Sequence, residues 1–269
     1  MTHLLNIESP LAGIETITLN RPDSLNAMNR ALIMALQEYF RSLQDRHEIR
    51  IVILRGAGRA FCAGLDLKGW DDGAKAGDEL GSVHAGWATQ RSIATVMELM
   101  RKCPQPIIAL AQGAACGGGL SLLLASDVRY GAPSLKINAA YIKIGLGGCD
   151  MGSSYFLPRL AGASLASEMI LTGKFIYAER ALSAGLISEI VAEDALHDKG
   201  LELAREMLLT SPMGLRLSKD ALNRNIDAPS FEAALAIEDR QQILLSMTED
   251  YAEARAAFME RRAPEYRDR

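Results

Sequence analysis

The chain has 269 residues, 29 Lys and Arg against 33 Asp and Glu, and 49% hydrophobic content. That apolar fraction argues against intrinsic disorder, and a net charge of −4 against a surface built to neutralise nucleic-acid phosphates. The length fits one large domain or one domain with an appendage, and the opening MTHLLNIESP lacks the basic and apolar regions of a secretory signal.

Residues 14–19, IETITL, alternate as a strand does, and Asn20-Arg21-Pro22-Asp23 closes it with a turn. Asn29 is placed to cap a helix whose apolar positions Leu32, Ala35, Leu36, Tyr39, Phe40 and Leu43 recur every three or four residues. IVIL at 51–54 reads as a buried strand. A glycine-rich stretch and a polar insertion over 69–84 follow, then a helix over 87–101 and a strand over 106–111. The uncharged run from Cys103 to Ser126 holds two prolines and four glycines, so it reads as strand, turn and helix start rather than a membrane span. Gly117-Gly118-Gly119 leads into the helix LSLLLAS and the strand DVRYG. Alternation of this kind predicts an α/β fold with parallel strands and helical crossovers.

From Ser153 onward the pattern is helical apart from a short strand at Leu186–Val191. Pro212 opens a helix to Arg224, and Phe231–Leu245 and Thr248–Arg262 are two more amphipathic segments that need a partner surface. The division expected is a core over 1–200 and a helical region over 201–269. Cys62, Cys103, Cys116 and Cys149 form no CxxC pair, and no histidine has a second ligand at metal spacing. Reduced structural thiols in a cytoplasmic protein, and no metal site, are the expectation.

Two glycine-rich segments follow strands: Ala63-Gly64-Leu65-Asp66 and Gly117-Gly118-Gly119. Backbone N–H groups there are unshielded by a Cβ, and a helix start leaves N–H groups unpaired. Two of them converging on one oxygen would form an oxyanion hole; the alternative is that the glycines only make turns. A third segment, Gly145 to Gly152, contains Asp150 in an otherwise apolar loop. A poorly solvated carboxylate there suits proton transfer, while an ordinary N-cap for the next helix is the competing role. No GxSxG serine motif and no phosphate loop is present.

FCAGLDL at 61–67, GGGLSLLLASD at 117–127, IGLGGCDMGSSYFLPRL at 144–160, LTGKFIYAERALSAGLISEIV at 171–191 and the late FMERRAPEY together resemble the crotonase (enoyl-CoA hydratase/isomerase) superfamily. The resemblance implies a crotonase-like spiral of ββα turns and a C-terminal helical trimerisation region, with trimers or hexamers. It implies an acyl-CoA thioester as substrate, with coenzyme A part of that substrate and no separate cofactor. The oxyanion donors would be the N–H groups of Leu65 and Gly118. Arg21, Leu25, Asn26, Ala63, Gly64 and Asp66 would line the CoA moiety, with Asp66 a cap rather than a catalyst, and Gly117, Ser121 and Tyr141 would line the acyl site. The two glutamates usual in family hydratases fall at Ser121 and Tyr141 here. Asp150, eight residues before Pro158, instead matches the acidic residue of enoyl-CoA, dienoyl-CoA and ring-opening isomerases. One acid suffices for a 1,3 proton shift, so isomerisation is expected ahead of hydration. A dehalogenase with Asp150 as nucleophile is a further alternative, though Tyr141 stands where its Trp would be. A CoA-binding protein without catalysis is the last.

Overall fold

A computed structural model describes residues 4–68 and 81–269. The chain begins with an antiparallel hairpin, β1 (Leu5–Leu11) and β2 (Ile14–Leu19), turning at Gly13. Asn29 caps α1 (Arg30–Ser42) by accepting the Leu32 N–H at 2.9 Å, as its position predicts. β3 (Ile51–Gly56) then pairs in parallel with β2, and α2 (Gly81–Lys102) leads to β4 (Ile107–Ala111), parallel to β3. The short β5 (Ala114–Cys116) and α3 (Gly118–Ala125) precede β6 (Val128–Gly131), which extends the sheet in parallel beside β4.

Next come β7 (Lys136–Asn138), α4 (Ser153–Ala161), α5 (Ala163–Thr172), β8 (Ile176–Tyr177), α6 (Ala178–Ser183) and β9 (Glu189–Ile190). The main sheet runs β1-β2-β3-β4-β6-β9, and β5-β7-β8 form a second, small sheet. Isolated bridges Cys62 to Ala115 and Met28 to Leu65 tie the loops after β2 and β3 to that second layer. Each turn of chain thus contributes to both layers, the spiral that the resemblance implies.

The unbroken apolar run of β3 follows from burial on both faces. Val52 and Leu54 enter one core with Leu36, Phe40 and Met97, while Ile51 and Ile53 enter another with Leu110, Leu201 and Ala204. The second core is closed by α7 (Leu196–Leu208), which spans residue 200 and packs on the sheet. α8 (Pro212–Asn225), α9 (Phe231–Ser246) and α10 (Glu249–Glu260) are each N-capped, by Ser211, Ser230 and Thr248.

The structure adds to the expected elements in three places. β1 shows no periodicity in sequence because, apart from half-buried Leu5, its residues are exposed. β5, β7 and β8 are two or three residues long, too short to carry a pattern. α2 starts six residues earlier than its apolar stripe, so 81–84 of the expected polar insertion is helix; 69–80 lies outside the described residues. The late strand contracts to Glu189–Ile190, with Leu186 and Ile187 buried in the turn before it. Among the described residues no helix is long and apolar enough to cross a membrane, and Cys103–Ser126 folds as strand, turn and helix.

Candidate active site

The two glycine turns meet. Cys62 N–H donates to the Ala114 carbonyl at 3.0 Å and Cys116 N–H to the Cys62 carbonyl at 3.0 Å, locking one turn against the other. A Cβ placed on Gly64 would come within 3.6 Å of the Gly118 nitrogen. Around Leu65 the bridge uses the Gly64 carbonyl, which accepts the Met28 N–H, and the Asp66 N–H, which donates to the Met28 carbonyl. The Leu65 N–H therefore points away from that bridge and has no acceptor among the described residues. Gly118 is the first residue of α3, where an N–H has no intrahelical partner, and it too has no acceptor there. Two unpaired N–H groups on touching turns can polarise one carbonyl oxygen.

Glycine is required here by close approach. Gly117 adopts φ 49° and ψ −117°, which turns the chain into α3 while its N–H donates to the Asn138 carbonyl. A Cβ on Gly119 would sit 2.0 Å from the Cys62 carbonyl oxygen, a backbone atom that cannot swing aside. Gly119→Ala is expected to destabilise the fold by about 3 kcal/mol, lowering the melting temperature by roughly 6–12 °C in a thermal scan. An unchanged melting temperature would mean the turns are not so tightly locked.

Asp150 approaches from the loop before α4. Met151 packs against Gly118, with its Cε 3.3 Å from where a Cβ would stand, and the charge of Asp150 is felt at the Tyr141 hydroxyl that holds the Gly117 carbonyl, so the loop lies against the turn that opens α3. Asp150 is half-buried. Its backbone is pinned reciprocally by Ser153: Asp150 N–H donates to Ser153 Oγ at 3.1 Å, and Ser153 N–H to the Asp150 carbonyl at 2.8 Å. The N-cap of α4 is Gly152, without a side-chain cap. The Asp150 carboxylate is left for other contacts, and its Oδ1 accepts the Met151 N–H at 2.7 Å and the Gln90 side-chain N–H.

The positions where the family resemblance places glutamates form a closed pair. Tyr141 Oη donates to the Gly117 carbonyl at 2.7 Å, which uses its one hydrogen, so Ser121 Oγ donates to Tyr141 Oη at 2.6 Å. Burial pushes the Tyr141 hydroxyl well above the usual phenol range, and the nearby Asp150 charge adds to the shift against the opposing Ser121 and Ser153 hydrogen bonds. Tyr141 therefore stays protonated and serves as a strut for the Gly117 turn.

Arg21 pairs with Asp66 at 2.8 Å and also donates to the Ala27 carbonyl. Asp66 in turn accepts the Lys68 N–H at 3.3 Å, a local turn cap. Leu25 and Asn26 both take left-handed backbone, and the Leu25 carbonyl accepts the Ala63 N–H. Asn26 is fully buried; its Oδ1 accepts the Arg21 N–H and its Nδ2 donates to the Ala57 and Ala60 carbonyls. Of the residues expected to line a ligand, Asn26, Ser121 and Tyr141 are thus buried supports, while Arg21, Leu25, Ala63, Leu65 and Asp66 retain partial exposure. Sequence reading did not find Gln90, Met28 or Met151. Of these, Gln90 alone had a signal: it continues the α2 stripe of Ile93 and Met97 as a polar residue.

A cavity of about 800 Å³ lies elsewhere, between α4, α8 and α9, with Arg101, Asp127, Phe156 and Leu245 on its walls. Two of its arginines are paired, Arg101 with Asp127 and Arg159 with Asp227. It holds none of Leu65, Gly118 and Asp150.

A layered spiral with two unpaired backbone N–H groups on touching turns, and a carboxylate in the loop packed against one of them, is an arrangement that suits polarising a carbonyl. The chain belongs to the enoyl-CoA hydratase/isomerase family, whose model matches residues 10–269. It is 36% identical to the Mycobacterium tuberculosis protein named "Probable enoyl-CoA hydratase EchA12", over 98% of this chain and 93% of that one. It is 34% identical to the Escherichia coli 1,2-epoxyphenylacetyl-CoA isomerase, over 94% and 95% of the two chains. Among solved structures, the enoyl-CoA hydratase of Bacillus anthracis superposes with a TM-score of 0.91 at 32% identity, covering 99% of this chain and all of that one.

Proposed function

We propose that this enzyme shifts the double bond of an enoyl-CoA thioester, with Asp150 as the single acid/base. The observation that carries the reading is Asp150, a carboxylate in the loop that packs on Gly118 through Met151, set against Ser121 and Tyr141, whose hydroxyls are hydrogen-bonded to each other. The N–H groups of Leu65 and Gly118 polarise the thioester carbonyl. Asp150 takes the C2 proton of a 3-enoyl thioester, and the pair from that C–H bond spreads into the thioester as a dienolate. The double bond re-forms between C2 and C3 as the same proton is delivered to C4. Coenzyme A enters as part of the substrate and no separate cofactor takes part.

Hydration is the second reading, favoured by the hydratase names of the relatives described above. Absorbance and mass assays with 3-enoyl-CoA and 2-enoyl-CoA thioesters of several lengths separate the two. Isomerisation predicts conversion of the 3-enoyl form without mass gain. An 18-Da gain from the 2-enoyl form would overturn it in favour of hydration. Large exposed side chains on the C-terminal helices, including Phe231, Met247, Phe258 and Met259, support assembly as a homotrimer or hexamer. Four unbridged cysteines, three of them buried, support a reducing cytoplasmic location.

A further inference from the structure

The two oxygens of Asp150 are not equivalent. Oδ1 accepts two hydrogen bonds, from the Met151 N–H and from Gln90 Nε2, whereas Oδ2 has no partner among the described residues. A carboxylate is acceptor-only, so Gln90 must present its NH2 to it, which fixes the amide orientation chemically. Gln90 reaches the site from a rigid element. Ile93, Met97 and Met100, three or four residues apart below it on α2, are buried in the core against α1 and α3. Gln90 continues that stripe one turn past the core, where an apolar side chain would only extend the packing. Its own exposure leaves no core role to explain it.

We propose that Gln90 is a positioning residue, holding Asp150 by Oδ1 so that Oδ2 is the oxygen that takes and returns the substrate proton. Two donors on Oδ1 draw charge to that atom and satisfy it, so the incoming proton goes to the unoccupied oxygen. The backbone donor alone leaves the carboxylate free to rotate about the Cβ–Cγ bond; the second donor, arriving from a different helix, stops that rotation. An amide suits the task because it orients the base without competing for the proton. This role rests on the reading of Asp150 as the acid/base.

The test compares wild type, Asp150→Asn, Gln90→Met and Gln90→Glu in isomerisation of 3-enoyl-CoA in D2O, with thermal melts to verify folding. Gln90→Met preserves length but removes the donor. Gln90→Glu preserves shape and replaces the donor by a charge that repels the carboxylate. Both are expected to lower kcat roughly 5- to 20-fold with KM within about twofold. Both should raise the deuterium incorporated per turnover, because a swinging carboxylate exchanges its proton with solvent before returning it. Gln90→Lys, which restores an N–H donor, should recover part of the rate. Normal kcat and isotope content in Gln90→Met, with Asp150→Asn dead, would overturn the role of Gln90 alone. So would a loss confined to KM. An active Asp150→Asn, or a wild type without isomerase activity, would overturn the reading of Asp150 and the role of Gln90 with it.

Discussion

Asp150→Asn is expected to lower kcat for double-bond migration by about 10²–10⁴, the usual span for a general acid/base, while acyl-CoA binding changes less than about twofold. The substitution is structurally mild. Asparagine keeps an acceptor oxygen for the Met151 N–H and the Gln90 N–H, and the reciprocal bonds with Ser153 involve only the Asp150 backbone. What disappears is the oxygen able to accept a proton. Stopped-flow absorbance under saturating 3-enoyl-CoA gives kcat, and calorimetry with a saturated acyl-CoA gives binding. Retained turnover would remove the carboxylate from the chemistry and turn attention to the hydroxyl pair or to residues outside the described part of the chain.

The second large effect concerns a backbone atom. Gly118→Pro deletes the unpaired N–H at the start of α3, and proline is tolerated at the first helical position. Gly117, at φ 49° and ψ −117°, already lies outside the α region that a following proline excludes. The steric obstacle is Met28, whose Cε would be 2.2 Å from the new Cβ, so the variant is made on a Met28→Ala background. Relative to Met28→Ala alone, kcat/KM is expected to fall about 10²–10³, the cost of losing one oxyanion donor. A fall below about fivefold, with the fold intact by circular dichroism, would mean the Gly118 N–H does not face the thioester.

Those two sites were legible in the sequence for different reasons. Leu65 and Gly118 follow strand ends in glycine turns, and strand, turn and cap chemistry are local; the Asn29 cap and the doubly buried IVIL strand were readable on the same terms. Asp150 was visible as a carboxylate in a glycine loop, but its choice between cap and base depends on where Ser153 and Gln90 fall in space. Gln90 is 60 positions away in sequence, and no periodicity reports a contact of that range. The mating of Ser121 with Tyr141 is hidden in the same way: each residue looks merely like a missing acid until the structure joins them. The small sheet escaped because strands of two or three residues have too few alternations to signal.

That Ser121–Tyr141 mating also constrains how such a protein could acquire a different chemistry over evolutionary time. A single Ser121→Glu change would thrust a carboxylate into a position with no solvent exposure, against a phenol that stays protonated and is committed to the Gly117 carbonyl. Tyr141 would first have to shrink or turn away, which loosens the strut beneath the Gly117 turn. The way to a two-acid site therefore passes through an intermediate sequence poorer than either end. On the proposed reading, one-acid chemistry here is a local optimum, protected by a hydrogen bond rather than by the absence of a suitable mutation.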